Sequence, residues 1–306
     1  MNFFKKLLFT NVVFLLCNVA IYYVYAATLS ASDVSYDSAI KIIKMKEKEI
    51  HTYKYKCDIL QPDTSGTVSC VIAFDGRYWA DVTSKTPRSD GSGILERAFT
   101  RAFDGKLFKE QLELGSSSSN KYYQGTVNDN KSIKASECEK LSDSLHFLFP
   151  FFFIYGDESF FHFSEFLEQK HKLGFDISVI ENQNGEWVIS TIDEKCVFHK
   201  DGKTTEVFSY LEFTFDPSFG KSGAMKNILM GYKMDDSSAG IDKSIGGWSE
   251  ITYDLHQVGE FYVPHLFMFV EKPVYHEPEI IAGKYVYSDF EVNVPINDQT
   301  FSIDWK

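Results

Sequence analysis

Basic residues are in short supply: 31 Lys and Arg stand against 43 Asp and Glu in 306 residues, a formal charge of −12 at pH 7. A surface of that sign argues against nucleic acid or an anionic membrane as partner. Cysteine is scarce as well, five in the whole chain, and no Cys-x-x-Cys pair occurs, so the common zinc-ligand spacing is missing. The eight histidines, His51, His146, His162, His171, His199, His256, His265 and His276, include no His-Glu-x-x-His arrangement. His276-Glu277-Pro278-Glu279 comes nearest to a metal cluster, and its proline and charge suit a solvated loop. There is no Gly-x-Ser-x-Gly elbow and no glycine-rich phosphate loop. Nothing singles out a glycosidase pair among the carboxylates. Catalytic residues, metal ligands and a cofactor are therefore not expected. A linker rich in Pro, Gly or Ser is also missing, and the Ser116 to Ser119 tract is short enough to be a hairpin loop.

What the chain does have begins with Met1-Asn2-Phe3-Phe4-Lys5-Lys6, an apolar run over residues 7–25, and small residues at Ala26 and Ala27. This is the layout of a secretory signal occupying residues 1–26. A retained anchor helix is the alternative, since residues 7–27 are long enough to span a bilayer. A lipidated Cys17 fits less well, because Leu16 stands where a small residue is wanted. Removing Lys5 and Lys6 leaves 29 basic residues against 43 acidic ones, a charge of −14. Residues 27–306 then form one domain, exported to the periplasm or outer envelope. Cys57, Cys70, Cys138 and Cys196 remain in it, and an even count in an exported chain permits disulfides.

The densest feature is residues 145–173, with nine phenylalanines in twenty-nine positions. An apolar run interrupted by Pro150 leads through Gly156-Asp157-Glu158 into a helical pattern over residues 157–173. Asp157 is placed to cap its start, and Lys170, His171 and Lys172 precede Gly174 at its end. Phe160, Phe163, Phe166, Leu167 and Leu173 fall on one stripe at about 100° per residue, and Phe161 falls off it. Two explanations stand: a core helix lying on a sheet, or a movable lid whose rings enclose an apolar ligand. On the second, Phe149, Phe151, Phe152, Phe153, Phe160, Phe161 and Phe163 line a hydrophobic cavity.

Elsewhere the apolar period is mostly two. A first helix opens at Ser32 or Asp33, with Tyr36, Ala39, Ile40, Ile43 and Ile50 on one face and Lys41, Lys44, Lys46, Glu47, Lys48 and Glu49 on the rest. Then Tyr53, Tyr55, Cys57 and Ile59 alternate with polar residues up to the turn Pro62-Asp63-Thr64-Ser65-Gly66. If Gln61 faces Gly66 across it, Cys57 faces Cys70. Directly opposed residues have Cα atoms about 4.5 or 5.5 Å apart, within the reach of a disulfide. Cys138 and Cys196 would pair by elimination. Ala73-Phe74-Asp75-Gly76 and Ala102-Phe103-Asp104-Gly105 are two identical Asp-Gly turn signals. After the aromatic stretch, strands are expected at residues 175–181, 187–192, 196–199, 207–215, 224–234, 248–258, 261–270, 285–294 and 301–305. The class is α+β and mostly antiparallel: a large curved sheet or incomplete barrel, with an N-terminal helix and the Phe-rich insertion covering its concave face.

The two Ala-Phe-Asp-Gly turns, Phe215-Asp216-Pro217, the hairpin over residues 248–264 ending in Tyr262-Val263-Pro264, and Val292-Asn293-Val294-Pro295-Ile296 leading to Phe301 together resemble the outer-membrane lipoprotein carrier superfamily, the LolA-like and LppX-like proteins. The resemblance runs over residues 33–305. It implies a curved antiparallel sheet around a hydrophobic cavity closed by helices, holding a lipid or lipoprotein acyl chain. The chain departs from many relatives in ending right after its last strand. It also offers no pattern from which a lipoprotein handover site could be transferred. The expected function is thus a non-enzymatic, monomeric binding protein for a long apolar ligand. An envelope scaffold with a filled core and a protein partner is the alternative, and an envelope hydrolase comes last.

Overall fold

The computed structural model describes residues 32–88, 91–104, 107–114, 117–126, 148–149, 162–200, 203–233, 247–272 and 280–301. The signal segment, Phe151, Phe152, Phe153, Phe160, Phe161 and Cys138 lie outside them, as does everything after Phe301.

The chain opens with β1 (Ser32–Asp33) and α1 (Tyr36–Glu47). A meander follows: β2 (Thr52–Leu60), β3 (Ser65–Ala73), β4 (Tyr78–Pro87), β5 (Ile94–Phe103), β6 (Leu107–Leu114) and β7 (Ser117–Thr126). Helix α2 (Phe163–Lys172) leads into a second meander. It contains β8 (Asp176–Glu181), β9 (Trp187–Lys200), β10 (Lys203–Asp216), β11 (Ala224–Lys233), β12 (Trp248–Val258), β13 (Phe261–Lys272) and β14 (Ile280–Val292). A 3-10 turn at Asp298–Phe301 closes the described chain.

All fourteen strands belong to one antiparallel sheet, in the order β1-β8-β9-β10-β11-β12-β13-β14-β2-β3-β4-β5-β6-β7. The seam is β14 on β2, from Lys284 opposite Leu60 to Val292 opposite Tyr53. Among the described residues β1 and β7 have no further neighbour, so the sheet does not close into a barrel. It is nevertheless strongly curved. Five strand steps separate β2 from β10, about 24 Å in a flat sheet at about 4.8 Å per step. Yet Phe149 alone touches both: its carbonyl accepts from the Tyr53 hydroxyl at 2.9 Å, and its ring lies 4.9 Å from that of Phe215. The adjacent residues His162 and Phe163 bridge a comparable gap, from Phe74 at the end of β3 (4.2 Å) to Phe213 on β10 (4.8 Å). Register shifts on β9 to β14 supply bends of the kind a curved sheet needs.

Period-two patterning accounts for the strands well: in β2, buried and exposed positions alternate from Tyr53 to Leu60. The Asp-Gly turn is seen after β3, where Gly76 has φ +87 and Asp75 holds Arg77 by its backbone N–H and its guanidinium. The expected strands at residues 187–192 and 196–199 are one continuous strand, β9, with a register irregularity between them.

Three expectations need correction. The first helix does not open at Ser32 or Asp33. Those residues pair with Glu181 and Ile180 of β8, and Ser35 is the cap, its hydroxyl accepting from the Ser38 N–H at 3.3 Å. The described part of the second helix starts at Phe163 with His162 as its cap, and Leu173 is 60% exposed rather than on the buried stripe. The reason is that the helix ends at Lys172, so Leu173 is already in the cap that Gly174 (φ +87) terminates.

The third correction is the disulfide. Leu60 pairs with Ser65, so Cys57 faces Val68 and Tyr55 faces Cys70. The turn closes one hydrogen-bonded step earlier than expected, with Gln61 N–H on Thr64 O at 2.8 Å. A slip of two residues keeps both cysteines on the inner face but makes them diagonal neighbours, about 7–8 Å apart between Cα atoms. That exceeds disulfide reach. Both are buried free thiols.

A candidate ligand site on the concave face

The concave face is apolar and largely aromatic from β9 to β4. Trp187, Phe213, Phe215, Tyr253, Phe267, Tyr285, Tyr287, Tyr53, Tyr55 and Tyr78 are all buried, and they join Ile43 of α1 and Phe163 of α2 in one core. Around the β14–β2 seam the rings pack edge to face. Tyr53 lies 5.1 Å from Phe290, Tyr55 lies 5.4 Å from Tyr287, and Phe267 lies 4.8 Å from Tyr285. Burial drives the Tyr55, Tyr253 and Tyr287 hydroxyls well above the ordinary tyrosine pKa. It also pushes the Cys57 and Cys70 thiols up to about 12, so both stay protonated and inert.

Two helices lie on this face, side by side and antiparallel. Glu47 at the end of α1 meets Ser164 at the start of α2, accepting from its N–H at 2.8 Å and from its hydroxyl at 2.5 Å. One turn along, Lys44 pairs with Glu168 at 2.5 Å. At the far end the Tyr36 hydroxyl donates to Leu167 O at 3.3 Å, and its ring lies 4.2 Å from His171. Seated on the sheet, Phe163 and Phe166 pack on Phe213 at 4.8 and 5.8 Å, and Phe149 backs Phe163 at 6.4 Å.

Glu47 is the unusual member. It is 2% exposed, and burial raises its pKa above the ordinary glutamate value. The two Ser164 hydrogen bonds and the nearby His162 pull it partly back, while Glu165 pushes it further up. Ser164 is buried with it.

Of the expected cavity residues, Phe149 and Phe163 are brought together, and the other five lie outside the described residues. Phe163 is wholly buried in ring contacts. Phe149 borders a cavity with Met225, Tyr253, Leu255, Tyr262 and Pro264 whose free volume is about 10 Å³, room for one water. Sequence reasoning missed Glu47 and Ser164, having grouped Glu47 with the charged face of α1. Its 3.6-period position beside Ile43 and Ile40 was the available signal.

At the end of the sheet where α1 enters β2, a second polar group ties two turns together. Lys226 holds Glu186 at 2.6 Å and Asp216 at 2.9 Å. Asp216 accepts from the Ser218 N–H and hydroxyl, and Glu186 from the Asn182 amide. Hydrogen bonds from Lys226 and Asn182 hold Glu186 below the usual carboxylate range. Asp216 is also lowered: burial alone would raise it, but the bonds from Ser218 and Lys226 outweigh that.

No family model matches this sequence, and no curated protein does. Among solved structures there is similarity to a beta-barrel-like protein of the domain of unknown function DUF1849 from Brucella abortus. It covers 80% of this chain and 98% of that one at 8% identity, with a TM-score of 0.24. A likeness at that level says nothing of what this chain does.

Proposed function

We propose that this is an exported, non-enzymatic binding protein of the LolA-like kind, which holds a lipid or other long acyl chain against the concave face beside α2. One observation carries this reading. A curved sheet presents an apolar, largely aromatic inner face over the nine strands from β9 to β4, and α2 rests on it mainly through phenylalanine rings. An acyl chain taking the place of Phe163 and Phe166 on Phe213 would meet the same apolar surface. Each buried methylene contributes roughly 0.8 kcal/mol, so about ten of them offset an ordering cost of several kcal/mol.

The second reading, an envelope scaffold with a filled core and a protein partner, is favoured by the small size of the cavity beside Phe149. Native mass spectrometry of the mature protein, before and after delipidation, separates the two. A carrier retains a lipid-sized adduct and takes up a fluorescent fatty-acid probe once stripped. A scaffold shows the bare chain mass throughout and leaves the probe in solution.

A further inference from the structure

We propose that His256 and His265 form a two-histidine site for a divalent transition cation, Zn²⁺ or Cu²⁺, near the turn end of the β12–β13 hairpin. This is independent of the ligand reading above. The two residues stand on either side of the Gly259-Glu260 turn, and their rings lie 5.6 Å apart between centroids, nearly perpendicular at 83°. A metal–nitrogen bond of about 2.0–2.1 Å puts the centre of a bound imidazole about 3.2 Å from the ion, and two rings held at a tetrahedral angle then have centres about 5.2 Å apart. A small turn of either side chain closes the difference. Among the described residues no three ligand side chains are grouped for a metal, so the protein supplies two positions and water the others. Imidazole suits Zn²⁺ and Cu²⁺, whereas Ca²⁺ and Mg²⁺ require oxygen ligands.

Three features favour an ion over a plain ring contact. The Nδ1 atom of His256 is buried and has no hydrogen-bond partner. A buried polar atom in that state calls for an explanation, and an ion held between the rings supplies its partner. Secondly, His265 is the extra residue of a β-bulge, because the ladder pairs Asp254 with Leu266 and Leu255 with Pro264. Bulges re-aim side chains and recur beside functional sites. Thirdly, the His256 imidazole is kept neutral: burial, and then the neighbouring His265, lower its pKa below the ordinary histidine value, with Asp254 pulling the other way. A neutral ring offers its lone pair without a proton to displace. The field of so acidic a chain also gathers cations. What the ion would do for the fold follows from the ladders on either side. Strand β11 pairs with β12 only over Ser249 to Thr252, and β14 pairs with β13 only over Leu266 to Glu271. The turn end of the hairpin is thus a two-stranded ribbon, and an ion on both histidines ties its strands together.

The test uses the mature protein without an affinity tag, and Zn²⁺ alone as probe. Competition with a chromophoric chelator reads the affinity, and diethyl pyrocarbonate labelling followed by peptide mass spectrometry reads which histidines are covered. His265 and His51 are both exposed, so both react in the free protein. In wild type the tightest-bound Zn²⁺ shields His265, while His51 labels equally with and without the ion. His256→Ala and His265→Ala each weaken binding at least tenfold, and His51→Asn leaves it unchanged. Mg²⁺ at the same concentration gives no shielding. Equal labelling of His265 with and without Zn²⁺ overturns the proposal, and that measurement needs no variant to fold. Unchanged affinity in either alanine variant, an equal loss in His51→Asn, or shielding by Mg²⁺ overturns it too.

Discussion

Truncating Phe163 to alanine is the sharpest probe of how α2 is seated. The ring is fully buried, meets Phe213 edge-on at 4.8 Å and has Phe149 behind it at 6.4 Å. Replacing a ring so enclosed removes its transfer free energy and leaves a cavity, which for Phe→Ala costs about 3–5 kcal/mol. Leu173→Ala, at a position 60% exposed just past the helix, should stay within about 0.5 kcal/mol of wild type. Urea unfolding of both variants beside the parent reads the difference as a lowered midpoint at constant slope. In a heat scan, roughly 2 °C or more per kcal/mol gives a drop on the order of 6 °C or more for Phe163→Ala. The void has a second consequence: apolar cavities of ring size stay dry and accept small apolar molecules, so Phe163→Ala should bind the fatty-acid probe at least as tightly as wild type. A Phe163→Ala protein within about 0.5 kcal/mol of wild type, with an unchanged slope, would refute the ring packing from which the seating of α2 is argued.

Lys226→Met should cost about 1–3 kcal/mol at neutral pH, since it leaves Glu186 and Asp216 without their shared cation. Both carboxylates are held below their ordinary values, so their contribution is present above the unfolded pKa and lost as pH falls through the folded one. The variant should therefore lose less stability than wild type between neutral and acid pH, and acid titration of unfolding checks this. Cys57 and Cys70 should resist alkylation in the native protein at pH 8 and be labelled in denaturant without reductant; peptide mapping that finds them joined would contradict the strand register. N-terminal sequencing of the exported protein should begin at Ala27, and a chain retaining residues 7–25 would remove the secretory reading.

Local chemistry was the legible part of this sequence. Alternation in β2 and the Asp75-Gly76 turn depend on neighbours a few positions away, and the structure has them where expected; Gly105 of the second Asp-Gly turn lies outside the described residues. The β2–β3 register was missed by two residues because composition marks a turn without fixing which pair of hydrogen bonds closes it. Parity survived the error, which is why Cys57 and Cys70 are both inside although not opposite. The seam between β14 and β2 was out of reach, since nothing near Tyr53 announces Val292. Glu47 was hidden for the same reason: the partner that hydrogen-bonds it is Ser164, 117 residues away. A charged residue on an amphipathic helix looks solvated until its distant partner is known.

The β14–β2 seam also sets the order in which the molecule can be finished. Gln61 and Tyr285, 224 positions apart, share a hydrogen bond across it, and His51 and Asn293, 242 apart, share another. While the chain is being made, β2 has β3 on one side and an unpaired edge on the other, until nearly all the remaining sequence has emerged. Long-range pairings of this kind fold slowly, and an open strand edge in the meantime is a template for the wrong neighbour. The charged outer row of β2, Lys54, Lys56 and Asp58, together with the like-charged surface of the acidic chain, works against such pairing during the wait. A chain cut short before Ile280 would keep that edge for good, and aggregation is its expected fate.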